Sequence, residues 1–193
     1  MTETMTFYLV RHGEAENNVR HISSSLPEKE KYPLTESGRK KVAETAAYLK
    51  QEEADVMFCS PLLRTRQTAE IIAQATGLLF SIDERLHETG MGVFNGKTHE
   101  GFMKKYEDPV LRISPDEADG VESFLDMRGR LESFLRDVKK LYSGKKVVVV
   151  SHGDPLEQLH GILLHESPGV AARGWYPEKG SCTKVVWEVK KGF

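Results

Sequence analysis

Residues 147–155 read VVVVSHGDP. Four consecutive valines show no polar–apolar alternation, so they suit a strand covered on both faces, as in a parallel sheet. The run then stops at Ser151-His152-Gly153. Residues 7–13, FYLVRHG, repeat the pattern: an apolar run that ends in Arg11-His12-Gly13. A third run, Val56 to Cys59, ends in Ser60-Pro61. Lys184 to Val189 reads as a further strand, and Leu78 to Ile82 as a weaker one.

Helical patterns fall between these runs. Thr35 can cap a helix that carries Val42, Ala46 and Leu49 at helical spacing. Ser60-Pro61 reads as an N-cap followed by a first-turn proline, opening a helix to about Ala75 that Gly77 can end. Asp154-Pro155 repeats the device, toward Leu164. Val121 to Tyr142 reads as a long helix with Phe124, Leu131, Phe134, Leu135 and Val138 inward. Strands alternating with helices predict an α/β fold, a three-layer α/β/α sandwich around a mostly parallel sheet. Two stretches look like surface insertions, Ser23 to Tyr32 and Asn95 to Asp119. The second is long enough to form a lid, with a small helix over Lys97 to Tyr106.

Composition narrows the class. The 193 residues are 39% hydrophobic and 29% charged, ordinary for a soluble globular chain with room for a core. A formal net charge of −2 supplies no global basic field for nucleic acid. No stretch approaches the roughly 20 apolar residues of a membrane span. The N-terminus lacks a basic-then-apolar signal pattern, and two cysteines make no disulfide framework, so a cytoplasmic setting is expected.

Ligands of open α/β sheets bind just outside the carboxyl ends of the strands. Arg11, His12, Ser60, Ser151 and His152 all sit at such ends. Arg64 lies close behind Ser60, where a helical side chain leans back toward the sheet. Arginine presents a planar fork of donors to phosphate or carboxylate, and helix N-termini after Ser60 and Asp154 would add positive dipole ends. A glycine after each histidine would let a ligand approach the backbone. The set suits a dianion such as phosphate, with an imidazole that can be an uncharged nucleophile near neutrality. One strand-end histidine alone is more often structural, and Arg64 alone would read as a surface ion-pair residue. Two His-Gly pairs with two arginines outweigh that reading. His21, His87, His99, His160 and His165 share no such context and read as surface or core residues.

These residues resemble the signature of a known family. Arg11-His12-Gly13-Glu14 with Asn18, Pro33-Leu34-Thr35 with Gly38, and Ser60-Pro61-Leu62-Leu63-Arg64-Thr65-Arg66-Gln67-Thr68-Ala69-Glu70 are similar to its first blocks. Leu86-His87-Glu88 with Gly92 and Gly96, then Ser151-His152-Gly153, follow in the same order. The family is the histidine phosphatase superfamily, the phosphoglycerate mutase-like proteins. The resemblance implies a phosphoglycerate mutase-like fold and a single domain over residues 1–193, with the lid-like insertion at about 95–120. It implies that His12 takes the phosphoryl group, that Arg11, Arg64 and His152 clamp it with Asn18 and Gly153 as further phosphate contacts, and that Glu88 is the general acid. Glu88 comes from the resemblance alone.

Departures favour hydrolysis over mutase chemistry. Mutases follow the acid with Arg-His-Tyr, whereas Glu88 is followed by Thr89-Gly90-Met91, and the chain is short after Gly96. Val121-Glu122-Ser123 replaces a common Gly-Glu-Ser, and Ala15 stands where threonine is common. The expectation is a phosphatase acting on a small phosphorylated metabolite, with a phosphoglycerate mutase and a non-catalytic phosphoprotein-binding module as alternatives. No cofactor or metal is expected, because the arginines supply the charge and no HExxH or paired-acid pattern occurs. Nucleic-acid and membrane partners are not expected. Lys184 to Val189 could lie at a sheet edge, so the chain is expected as a monomer or a homodimer.

Overall fold

The computed structural model describes residues 3–114 and 118–189. Its five strands are β1 (Glu3–Arg11), β2 (Val56–Cys59), β3 (Phe80–Ile82), β4 (Lys146–Ser151) and β5 (Cys182–Val189). They form one sheet in the order β3-β2-β4-β1-β5. The first four are parallel, and β5 runs antiparallel along β1 at one edge. This is the mostly parallel α/β sheet expected, with the weak candidate at 78–82 realised as the short β3.

Register explains why chemistry gathers at one lip of the sheet. Val10 pairs with Val150, and Val150 with Cys59. The residues that follow, Arg11, Ser151 and Ser60, therefore emerge side by side. Alternation within the strands fills two cores. Phe7, Leu9, Val147 and Val149 face one side, where Phe124, Leu131, Phe134, Leu135 and Val138 of α5 (Phe124–Tyr142) pack on them. Tyr8, Val10, Val148 and Val150 face the other, against Val42, Ala46 and Leu49 of α2 (Glu36–Glu52) and Ala69 and Ile72 of α3 (Leu63–Thr76). Truncating one such buried leucine or isoleucine to alanine typically costs about 2–5 kcal/mol.

Helix ends differ in detail from the sequence reading. Thr35 caps α2 by accepting from the Gly38 N–H at 2.9 Å, and Gly77 closes α3 at φ +79°. Ser60 is not a cap: α3 starts at Leu63 with Leu62 before it, because the Ser60 hydroxyl is engaged by His152. Asp154 is not a cap either. The fourth long helix, α6 (Gly153–Leu163), has His152 at its N-cap, which puts Asp154 inside the first turn. α5 starts at Phe124 rather than Val121, capped by Ser123, which accepts from the Asp126 N–H.

The two expected insertions behave differently from each other. Residues 23–32 are a surface excursion only in the middle: Leu26, Pro27 and residues 29–31 are exposed, whereas Ser23, Ser24, Ser25 and Tyr32 at its ends are buried. The Asn95 side chain holds them, accepting from the Ser25 N–H and donating to the Ser25 and Pro27 carbonyls. The 95–119 stretch carries the expected small helix, α4 (His99–Lys105), and a 3-10 turn at Pro109–Arg112. Its Pro115 lies outside the described residues. Two further short helices, α1 (Glu16–Val19) and α7 (Pro168–Ala171), flank the sheet's lip. Among the described residues, no helix is long and apolar enough to cross a membrane.

Candidate active site

A cleft of about 580 Å³ opens at the carboxyl ends of β1, β2 and β4. Arg11, His12, Asn18, Arg64 and Glu88 all line it. His152 is fully buried behind them, its ring 5.1 Å from that of His12.

The tautomer of His12 is dictated from both sides. Its Nδ1 lies 2.7 Å from the Gly13 carbonyl, which can only accept, so Nδ1 carries the proton. Its Nε2 receives the Nε–H of Arg64 at 3.1 Å, and arginine can only donate, so Nε2 presents a lone pair. Burial, then the charges of Arg64 and Arg11, push the imidazole well below its ordinary pKa and keep it neutral.

Arg64 sits at the second position of α3 and is almost wholly buried. Its other nitrogens donate to Ser24, at 3.3 Å to Oγ and 2.9 Å to the carbonyl. Burial lowers its pKa to about 10, which leaves it charged near neutrality. Arg11 ends β1 and is aimed by the C-terminal segment. It donates to the Pro177 carbonyl at 2.8 Å, with its guanidinium carbon 5.1 Å from the centre of the Tyr176 ring. Asn18 accepts the Ala15 N–H at 3.0 Å through Oδ1, which leaves its NH₂ as the donor end.

His152 is held by Ser60, whose hydroxyl lies 2.7 Å from Nε2. Its Nδ1 has no hydrogen bond and stands 3.8 Å from Glu88 Oε2. Burial, then Arg64 and His12, push His152 well below its ordinary pKa. Glu88 accepts the Thr89 N–H at 2.9 Å. Burial first, then the Asp154 charge, raise its carboxyl to about 7 against the pull of Arg64 and Arg11. With its carboxyl at about 7, Glu88 is partly protonated at neutrality without any phosphate present.

The two glycines are each packed tightly against a neighbour. A Cβ on Gly13 would come within 2.7 Å of the Gly38 carbonyl and 2.8 Å of Val42. A Cβ on Gly153 would meet the Tyr176 hydroxyl at 2.0 Å, and Gly153 is not among the residues that line the cleft.

Several cleft residues escaped the sequence reading. His99 and His21 line the cleft instead of being plain surface or core, and His99 stacks on Phe102 with ring centres 5.3 Å apart. Arg112 is buried, lies over Phe102 and Phe124, and donates to Asp154 at 2.7 Å and to the Thr89 hydroxyl at 3.0 Å. A cation absent from the loop after Glu88 therefore arrives from residue 112. Nothing local marks Arg112, Tyr176 or Ser24, because each partner lies far off in sequence.

Arranged this way, a neutral imidazole, two guanidinium groups and a protonated carboxyl face one hollow. That set can bind a phosphoryl group, attack it and protonate what leaves. The comparisons with known proteins agree. Residues 7–192 match the histidine phosphatase superfamily (branch 1). The chain is 34% identical over 160 residues to phosphoserine phosphatase 1 of Hydrogenobacter thermophilus, covering 81% of this chain and 74% of that protein. It is 33% identical over 161 residues to the probable phosphoglycerate mutase GpmB of Escherichia fergusonii, with the same coverage. Among solved structures, Bacillus stearothermophilus YhfR superposes with a TM-score of 0.82 at 27% identity, over 97% of this chain and 93% of that one. A mycobacterial glucosyl-3-phosphoglycerate phosphatase superposes at 0.80 with 22% identity, over 95% and 90%. The chain belongs to the histidine phosphatase superfamily, and is an enzyme of the histidine phosphatase type.

Proposed function

We propose that this enzyme is a phosphomonoesterase that hydrolyses a small organic phosphate through a phosphohistidine on His12. The observation that carries the reading is the doubly enforced tautomer of His12, Nδ1–H on the Gly13 carbonyl and a lone pair on Nε2. The phosphoryl group takes over the donors of Arg64 and Arg11, with Asn18 and His152 at its remaining oxygens. Charge that spreads over those oxygens in transfer is met by the guanidinium groups and the N-termini of α3 and α6, so the step calls for no metal. Nε2 attacks phosphorus in line with the ester oxygen. The N–P bond forms, the P–O bond breaks, and Glu88 gives its proton to the departing alkoxide. Water then attacks phosphohistidine, Glu88 takes one of its protons, and inorganic phosphate leaves with His12 restored.

The cleft is several times larger than a phosphate, and Met91, Phe102, Tyr106 and Phe124 give its outer part apolar walls. This supports an organic leaving group of appreciable size. Sugar phosphates, phosphoglycerates, nucleotide-like esters such as α-ribazole phosphate, and phosphoserine are the first esters to try, the last because a relative bears that name. The test is a panel of such esters with detection of free phosphate. Release from one ester far above the rest supports the reading, and no release from any ester between pH 5 and 8 overturns it. A mutase is the second reading, favoured by the relative named as a probable phosphoglycerate mutase. It predicts isomer without free phosphate from 3-phosphoglycerate.

A further inference from the structure

Asp154 takes part in no step above, yet three segments of the cleft converge on it. Its Oδ2 accepts the Thr89 hydroxyl at 2.8 Å and Arg112 at 2.7 Å, and its Oδ1 accepts the Tyr176 hydroxyl at 3.0 Å. Thr89, fully buried, also offers its N–H to Glu88. One threonine thus holds two carboxyl groups, by hydroxyl and by amide. We infer that Asp154 is a positioning residue for the proton donor: it fixes Thr89, through which Glu88 is held, and keeps a negative charge beside the Glu88 carboxyl. The inference rests on the proposed role of Glu88.

The electrostatics agree with the geometry. The groups that act on Glu88 are Asp154 of α6, Arg64 of α3, Arg11 of β1 and Tyr176, with His152 Nδ1 3.8 Å away and Arg112 bound to Asp154. After burial, Asp154 does most to raise Glu88, while Arg64 and Arg11 pull it down. Burial opposes the charge on Asp154 itself. The Arg112 charge, with hydrogen bonds from Arg112, Thr89 and Tyr176, outweighs it and holds Asp154 below its ordinary value. Arg112 is therefore what keeps Asp154 ionised, so that its charge stays beside the Glu88 carboxyl. A second carboxyl, Glu157, is pushed up to about 8 by burial and Asp154 and also lines the cleft.

Removing the anion and removing the cation that keeps it ionised must then act in the same direction. The readout is kcat against pH for an alkyl phosphate, whose poor leaving group needs the proton, beside p-nitrophenyl phosphate, whose leaving group does not. In Asp154→Asn the alkaline limb for the alkyl ester moves down by about one pH unit. In Arg112→Met, where unopposed burial protonates Asp154, it also moves down, by less. Asp154→Glu restores the limb toward the starting position, and p-nitrophenyl phosphate shows little displacement in any variant. A structural role alone would lower rates without these shifts of the limb. Limbs that stay in place, or move up, overturn the inference, and Arg112→Met decides it alone if Asp154→Asn does not fold. Glu88→Gln separates the two claims. If it leaves the alkyl ester's rate intact, the role of Glu88 falls; if it erases the limb while Asp154→Asn does not move it, only Asp154 falls. A limb that vanishes in Glu157→Gln but survives in Glu88→Gln belongs to Glu157 and also overturns the inference.

Discussion

The two strand-end blocks Arg11-His12-Gly13 and Ser151-His152-Gly153 are near-twins in sequence and pair side by side in the sheet. They part company at the ring nitrogens. His12 is bound through Nδ1 to a carbonyl one residue away and offers Nε2 to the cleft. His152 is bound through Nε2 to a hydroxyl 92 residues away and turns Nδ1 toward Glu88. The carbonyl permits one tautomer only, while a hydroxyl that can donate or accept permits His152 either one. The first arrangement suits a nucleophile, whose lone pair must always point the same way. The second suits a group that can give a hydrogen bond to a phosphoryl oxygen. Residue type does not separate the pair; the acceptor that each ring finds does.

Five outcomes would sharpen or break this contrast. The largest belongs to His12→Ala, which should lower turnover roughly a thousandfold or more and abolish acid-labile phosphoenzyme trapped by rapid quench. His152→Ala should slow the reaction yet still yield labelled protein, and a label that follows residue 152 instead would reverse the assignment. Next, Glu88→Gln should slow alkyl phosphates about a hundredfold and p-nitrophenyl phosphate far less, read as a ratio of kcat/KM values. Equal slowing of both would remove Glu88 from the donor role.

Ser60→Ala should cost less, about fivefold, since it loosens one ring by roughly one hydrogen bond of about 1 kcal/mol. An unchanged rate would mean that the Ser60 contact does not set the orientation of His152. The smallest effect is on stability. The Glu88 carboxyl rises from its ordinary 4.5 to about 7, so the unfolded chain releases that proton first. Folded stability therefore falls as pH climbs between these values, and glutamine escapes the loss. Glu88→Gln should melt a few degrees higher at pH 8 and no higher at pH 4, by calorimetry. A gain that is equal at both pH values would contradict the burial ascribed to Glu88.

What was legible in the sequence follows from the range of the forces involved. Val147 to Val150 announced a strand covered on both faces, because successive valines enter opposite cores and none can be polar. Arg11, His12, Arg64 and His152 could be placed together because parallel register sets strand ends abreast. Ser60 was misread as a cap since Ser-Pro is good local helix chemistry, while its actual partner lies across the sheet. Gly13 and Gly153 looked like room for a ligand, but the atoms that exclude their side chains belong to α2 and to Tyr176. Arg112 was invisible because the 95–119 stretch has no periodicity, and its counterion is 42 residues away. Glu88 needed the family pattern, as a carboxylate in a glycine-rich loop carries no local mark of burial.

The grip on Arg11 bears on when this protein becomes competent. The arginine precedes Pro177 by 166 residues, yet its side chain is aimed by Pro177 and Tyr176, and the Gly180 N–H is shared by the carbonyls of Arg11 and His12. Synthesis must pass residue 180 before β1 acquires a working tip. Contacts of such sequence separation carry the highest closure entropy and tend to consolidate late. A chain stalled on the ribosome short of residue 177 would expose an imidazole and two guanidinium groups with no chamber around them. Anion capture is then timed by the segment that leads into β5.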